Sequence, residues 1–254
     1  MYFCIISSCF AQHTAVHAVH LAVRFQERGI ITAGHECLLF LHAGEQILLA
    51  ALVQLAEHIV QQEHRVLSGD PGSGSRFGRN KLEAVVDGKS LLRRSLEAVP
   101  AEEFAQVTVV TQYDAAAALA EEFGFTVVRN DRPEDGLSRT VRLGTEAMAG
   151  CDAILYQVAD QPLLEQETVR REIEYFRTHP DHIVGLAHNG VRGNPCIFPR
   201  KFFPELMALE GDVGGNVVIR AHPDALLLYE TSAAELRDVD TVEALAAVQA
   251  DRQI

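Results

Sequence analysis

From residue 81 onward, short apolar runs alternate with segments whose apolar positions recur at helical spacing. That rhythm is the signature of βαβ units around a mainly parallel sheet, so the chain reads as an α/β protein. The pattern predicts strands at Leu82–Val86, Val107–Thr111, Phe125–Arg129, Ala153–Ala159, Ile183–Ala187, Pro195–Phe198 and Ala225–Tyr229. Between them it predicts amphipathic helices at Ser90–Val99, Asp114–Phe123, Ser138–Met148, Gln166–Thr178 and Thr241–Val248. Asp87-Gly88 reads as a tight turn after the first short strand. Upstream, Leu48, Leu52, Leu55 and Ile59 fall on one helical face, and His42, Glu45, Gln46, Gln54 and Glu57 break the run. An amphipathic helix is therefore expected there rather than a membrane span.

Composition divides the chain unevenly. Residues 1–64 hold seven of the eleven histidines but two basic residues, Arg24 and Arg28, against five acids; the rest of the chain has an ordinary acidic balance. The sequence is accordingly read as an atypical His-rich segment, 1–64, followed by one α/β unit, 65–254. A net charge of −13 argues against a surface that grips nucleic acid, which needs clustered Lys and Arg. Five scattered cysteines, without a CxxC pair, fit neither a metal site nor a disulfide framework and point to a reducing cytoplasm. His13, His17 and His20 share one helical face, but no Asp, Glu or Cys joins them at ligand spacing, so a polar face is the better reading than zinc.

Three places carry candidate chemistry. Gly72-Ser73-Gly74-Ser75-Arg76-Phe77-Gly78, with Lys81 three residues on, offers backbone N–H groups that can approach phosphate oxygens and two cations that can neutralise them. It is not a Walker A loop, and Gly78 stands one residue late for a dinucleotide fingerprint. Asp160 follows an apolar strand that Pro162 ends, which points a carboxylate into the crevice where open α/β sheets bind ligands. A hard cation such as Mg²⁺ could be held there. Asp240, three residues before Glu243 at the start of an apolar-periodic helix, has the arrangement of a helix N-cap.

The segment Gly72–Leu82 resembles the signature loop of molybdenum cofactor cytidylyltransferases, within the MobA-like NTP transferase family. Further blocks follow in the family's order: Asp135-Gly136-Leu137-Ser138 with Thr140 and Gly144; Val158-Ala159-Asp160-Gln161-Pro162-Leu163-Leu164; Arg192-Gly193-Asn194-Pro195; Gly211-Asp212 with Gly214-Gly215; and Asp238-Val239-Asp240-Thr241. The resemblance implies a three-layer, Rossmann-like nucleotidyltransferase fold with a mixed, mainly parallel sheet. It also implies Mg²⁺-dependent transfer of CMP from CTP to a molybdopterin-type cofactor, with release of pyrophosphate. It assigns the metal to Asp160 and Asp240, and catalysis to Arg76, Lys81 and Asp160. Gly72, Ser73, Gly74, Ser75, Arg76, Lys81, Gly136 and Ser138 then hold the nucleotide, and Asn194 and Asp212 contact the acceptor.

Alternative readings are a GTP-dependent or a sugar- or polyol-phosphate nucleotidyltransferase, and a cofactor-holding chaperone for a molybdenum hydroxylase apoenzyme. Family members enter the glycine loop from a buried strand ending in a Leu-Ala-Ala-Gly-like segment, whereas here Glu63–Pro71 precedes it. Either Cys37–Leu41 supplies the strand and residues 45–64 are an inserted helix, or residues 1–65 are not the family's original start.

Overall fold

The computed structural model describes residues 49–54 and 84–251. Its strands are β1 (Leu49–Gln54), β2 (Val85–Val86), β3 (Lys89–Ser90), β4 (Val107–Thr111), β5 (Thr126–Arg129), β6 (Ala153–Gln157), β7 (Ile183–His188), β8 (Val191–Pro199) and β9 (Leu226–Glu230). The helices are α1 (Leu91–Glu97), α2 (Asp114–Glu122), α3 (Leu137–Ala147), α4 (Gln166–Thr178), α5 (Phe203–Met207), α6 (Asn216–Ala221) and α7 (Val242–Asp251). Seven strands form one sheet in the order β5-β4-β1-β6-β8-β7-β9. The ladders β5·β4, β4·β1, β1·β6 and β7·β9 are parallel, and β8 runs antiparallel to both β6 and β7. The sheet is thus mixed but mainly parallel.

Every residue of β4 and β6 is buried, which requires cover on both faces; on β4 it comes from α2 and α3. This is the three-layer α/β architecture. Under it, Tyr156 and Phe198 meet edge to face at 5.5 Å on neighbouring strands, a pair worth about 0.5–1.5 kcal/mol beyond its buried area. A smaller second core joins the carboxyl end of the chain to the β2–β3 hairpin: Val86 and Leu91 pack with Val239 and Val248, and Gln249 Nε2 donates to the Val85 carbonyl. Among the described residues no helix is long and apolar enough to cross a membrane.

Most elements fall where the apolar pattern puts them, but the expected strand Pro195–Phe198 extends over Val191–Pro199, the short helices Phe203–Met207 and Asn216–Ala221 were not expected, and three further elements differ. The helix expected around Leu48–Ile59 is corrected: Leu49–Gln54 is the central strand, pairing Ala51 with Val107 on one side and Leu155 on the other. Two parallel ladders satisfy this backbone on both sides, and that pairing overrides the helical spacing of its leucines. The sheet of the α/β unit therefore includes residues ahead of Arg65. The expected strand Leu82–Val86 contributes Val85–Val86, because Asp87 at φ 48° and Gly88 at φ 75° turn the chain back at once. The expected Ala153–Ala159 stops at Gln157, leaving Val158–Asp160 as an irregular exit from the sheet. His13, His17, His20, Cys37–Leu41, the expected insert at 45–64 apart from residues 49–54, and Glu63–Pro71 lie outside the described residues.

Candidate active site

Strand order reverses at β1: the chain proceeds outward through β4 and β5, then crosses to β6 on the other side. The carboxyl ends of β1 and β6 therefore border the crevice in which this class of sheet binds ligands. The end of β6 is locked to α1, where Gln157 Nε2 donates to the Ser95 carbonyl at 2.8 Å and Ser95 Oγ donates to the Val158 carbonyl at 3.2 Å. Three residues past the strand comes Asp160, 4% exposed. Its carbonyl accepts from the Val239 amide at 2.8 Å, which pins residues 238–240 against the exit of β6.

Val239 is buried in the second core, while its neighbours Asp238 and Asp240 are exposed. One backbone bond thus draws Asp160 and the two flanking acids to one place. Gln161, 2% exposed, reinforces the junction: its Nε2 donates to Asp238 Oδ1 at 3.1 Å and to the Leu236 carbonyl at 3.3 Å. The helix-capping alternative for Asp240 is resolved by its neighbour. Thr241 Oγ1 accepts from the Ala244 amide at 3.1 Å, so Thr241 caps α7 and Asp240 precedes the cap. Among the described residues no three His, Cys, Asp or Glu side chains form a closed metal-ligand group. The donor set instead fits a hard dication that takes one or two carboxylates and completes its shell with phosphate oxygens and water.

A second cluster forms at the amino end of α3. Gly136 adopts φ 81° and ψ −177°, a conformation open essentially to glycine, and a Cβ there would lie 2.7 Å from the backbone of Gly211. That close approach lets the Ser138 amide donate to the Gly211 carbonyl at 3.2 Å and the Leu137 amide donate to Asp212 Oδ1 at 3.3 Å. Asp212, expected to contact the acceptor, satisfies one of the orphan amides of the helix start from an exposed position. Ser138 is fully buried, and its hydroxyl makes no hydrogen bond. Gly72, Ser73, Gly74, Ser75, Arg76 and Lys81 lie outside the described residues.

A cleft of about 440 Å³ opens beside the acidic junction, lined by Gln161, His188, Arg192, Asn194 and Asp238 among others. Arg192 and Asn194 also line a narrow adjoining crevice that reaches Leu137, Gly214 and Gly215, so it joins this cleft to the α3 cluster. In the cleft, His188 Nδ1 lies 2.9 Å from the Thr231 carbonyl; because that oxygen only accepts, the proton sits on Nδ1 and Nε2 accepts from Asn189 Nδ2 at 3.0 Å. Cys196, below Arg192, is fully enclosed, and burial raises its thiol pKa above the usual value. It is therefore a neutral packing residue.

The Val239–Asp160 bond makes the backbone on either side of Val239 a neighbour of Asp160, Asn194 lines the same cleft as Gln161 and Asp238, and Gly136, Ser138 and Asp212 gather separately around α3. Sequence reasoning left Gln161 and Arg192 without roles. Both stand inside motif blocks it had identified, but only the fold shows that they face one cleft.

Residues 66–226 match the sequence profile of the MobA-like NTP transferase domain, and the chain belongs to that family of nucleotidyltransferases. Its fold is shared with solved structures at low identity. The Rv0371c protein of Mycobacterium tuberculosis aligns with a TM-score of 0.57 at 22% identity, covering 70% of this chain and 94% of that one. A structure of the same mycobacterial protein in complex with manganese aligns at 0.53 and 22% identity, covering 68% and 94%. A CMP:2-keto-3-deoxy-manno-octonic acid synthetase complexed with CTP aligns at 0.55 with 13% identity, covering 70% and 95%. Molybdopterin-guanine dinucleotide biosynthesis protein A of Archaeoglobus fulgidus aligns at 0.51 with 14% identity, covering 72% and 95%. No curated protein matches the sequence.

Proposed function

We propose that this nucleotidyltransferase moves CMP from CTP to a molybdopterin-type cofactor and releases pyrophosphate, with a divalent cation, Mg²⁺, held by Asp160 and Asp240. The observation that carries the reading is the Val239–Asp160 backbone bond, which ties the segment holding exposed Asp238 and Asp240 to buried Asp160 at the exit of β6. When bound, the cation would neutralise charge on the transferring phosphate.

The chain's own residues supply position and charge. The loop Gly72–Ser75 cradles the triphosphate with backbone amides, Arg76 and Lys81 oppose its charge, and the amino end of α3 at Gly136–Ser138 presents further amides. Asn194, in the adjoining cleft, meets the acceptor, whose phosphate oxygen attacks the α-phosphorus in line with departing pyrophosphate. No covalent enzyme intermediate is needed, and no nucleophilic side chain is required in the crevice. Asp212 acts at one remove, by holding α3. The distinction among nucleotides is left to binding: CTP is expected to stabilise the native protein more than GTP in the presence of Mg²⁺.

Melting temperature against each nucleotide, with and without Mg²⁺, tests this directly, because binding confined to the native state must raise stability. A Mg²⁺-dependent shift with CTP exceeding that with GTP, together with pyrophosphate release when the pterin acceptor is added, is the expected result. Absence of a shift with any nucleoside triphosphate at millimolar concentration would overturn the catalytic reading and leave a cofactor-holding role for the same cleft.

A further inference from the structure

Residues 231–241 join β9 to α7 without regular secondary structure, so individual contacts rather than a ladder set their shape. The segment carries Asp238 and Asp240. Two backbone bonds fasten it: the Thr231 amide donates to the Ala187 carbonyl at 2.8 Å, and the Val239 amide donates to the Asp160 carbonyl at 2.8 Å. Between these points Leu236 seats against Gly193, where a Cβ would come within 3.1 Å of the leucine methyl carbons.

A further fastening comes from one side chain. Ser232-Ala233-Ala234-Glu235 forms a turn in which Ser232 Oγ accepts from the Glu235 amide at 3.4 Å and donates to Glu235 Oε2 at 3.0 Å. The Thr231 hydroxyl donates to the same oxygen. The other oxygen, Oε1, reaches across to α4 and accepts from the Glu165 amide at 3.3 Å. Glu165 is the N-cap of α4 and makes no cap with its own side chain, so Glu235 brings a negative charge to the positive end of that helix. Partial burial pushes the Glu235 pKa up, but hydrogen bonds from Thr168, Thr231, Ser232 and the Glu165 amide outweigh it and hold the carboxyl below its ordinary value. Glu165 stands five residues after Asp160, and Glu235 five residues before Asp240. The two arms of the acidic junction are therefore tied at Glu235 as well as at Val239 and Gln161.

We propose that Glu235 is a positioning residue of the reaction, acting through Asp240 by holding the segment that presents this carboxylate to the cation. The inference rests on the reading of Asp160 and Asp240 as the cation-holding pair. It adds a residue that is not itself a ligand, since both oxygens of Glu235 are engaged by the turn and by α4.

The test titrates Mn²⁺, a paramagnetic substitute for Mg²⁺, into the full chain and reads the bound fraction by electron paramagnetic resonance. Melting temperature is recorded separately without metal. Glu235→Ala is expected to weaken Mn²⁺ binding roughly threefold or more, the scale of coupling between residues in one network. A double-mutant cycle separates positioning from a general loosening of the chain. In an Asp240→Asn background, Glu235→Ala is expected to cost no further Mn²⁺ affinity, whereas a purely structural role adds its loss to that of Asp240→Asn. Should Glu235→Ala fail to melt cooperatively, Glu235→Gln, which keeps one accepting oxygen, carries the same cycle with a loss of about twofold expected. Unchanged affinity in the folded Glu235 variant, or additive losses in the cycle, overturns this inference alone. Wild type that binds no Mn²⁺ overturns the reading of Asp160 and Asp240 as the cation-holding pair, and this inference with it.

Discussion

The Val239 amide donates to the Asp160 carbonyl at 2.8 Å, and through that bond two segments almost eighty residues apart in sequence become one acidic junction. Asp160 is buried and Asp240 exposed, so at Asp160 only an isosteric change removes the charge without disturbing the packing around it. Asp160→Asn keeps the volume and removes the charge. It is expected to abolish the Mg²⁺-dependent part of the CTP melting shift and to lower pyrophosphate release by on the order of 10²-fold or more, the scale of losing one electrostatic contact in a transferring site. Full release by the purified variant would refute the metal-holding role.

Gly136 makes a different kind of demand. Its φ of 81° with ψ of −177° is a glycine conformation, and an added Cβ would meet the Gly211 backbone at 2.7 Å. Neither neighbour is a flexible side-chain tip, so Gly136→Ala must displace the loop that holds α3. A loss of roughly 1–3 kcal/mol from backbone strain, and more from the clash, is expected in urea denaturation. The nucleotide-dependent melting shift should fall in the same variant, because the amino end of α3 moves with the loop.

Glu172 lies in the middle of α4, fully buried, with no hydrogen bond to either carboxyl oxygen. Burial raises its pKa well above 4.5, so the folded chain holds a proton that the unfolded chain releases. Below about pH 4.5 both states are protonated and the contribution to stability is fully present; as pH rises above that, the unfolded state ionises alone and stability is lost. Glu172→Met, similar in shape and apolar, is expected to gain on the order of 1–3 kcal/mol at neutral pH. Melting temperature measured from pH 5 to 8 should decline less steeply in the variant than in wild type; identical slopes would show that Glu172 does not cause the decline.

What the sequence made legible follows from how each element is stabilised. Val107–Thr111 was readable to the residue, because Val-Thr-Val-Val-Thr is an unbroken run of β-branched residues, which suits a buried parallel strand. Asp160 was readable because an apolar strand stopped by a proline announces a crevice. Leu49–Gln54 was not, since its stabilisation comes from pairing on both sides with strands more than fifty residues away, while its own leucines repeat at helical spacing. Leu49-Ala50-Ala51 opens this strand rather than ending it, and Gly72 comes eighteen residues after Gln54, so strand and glycine loop are not adjacent in sequence. Arg192 and Gln161 escaped for a related reason: their significance is a shared cleft, and nothing in local spacing encodes it.

The central strand supplies the last prediction. Ala51 is paired with Val107 of β4 and with Leu155 of β6, so β1 closes two parallel ladders at once. Proline at this position removes an amide from the middle of the sheet and cannot be relocated to an edge, which is expected to cost about 3 kcal/mol or more. Ala51→Pro should therefore show a large drop in melting temperature, and a chain beginning at Arg65 should fare worse, since it leaves β4 and β6 as facing unpaired edges in the centre of the sheet. Loss of a cooperative thermal transition, with aggregation on size-exclusion chromatography, is the outcome expected for that truncation. A chain from Arg65 that melts cooperatively at the full-length temperature would show that Leu49–Gln54 is dispensable and that the unit begins after it.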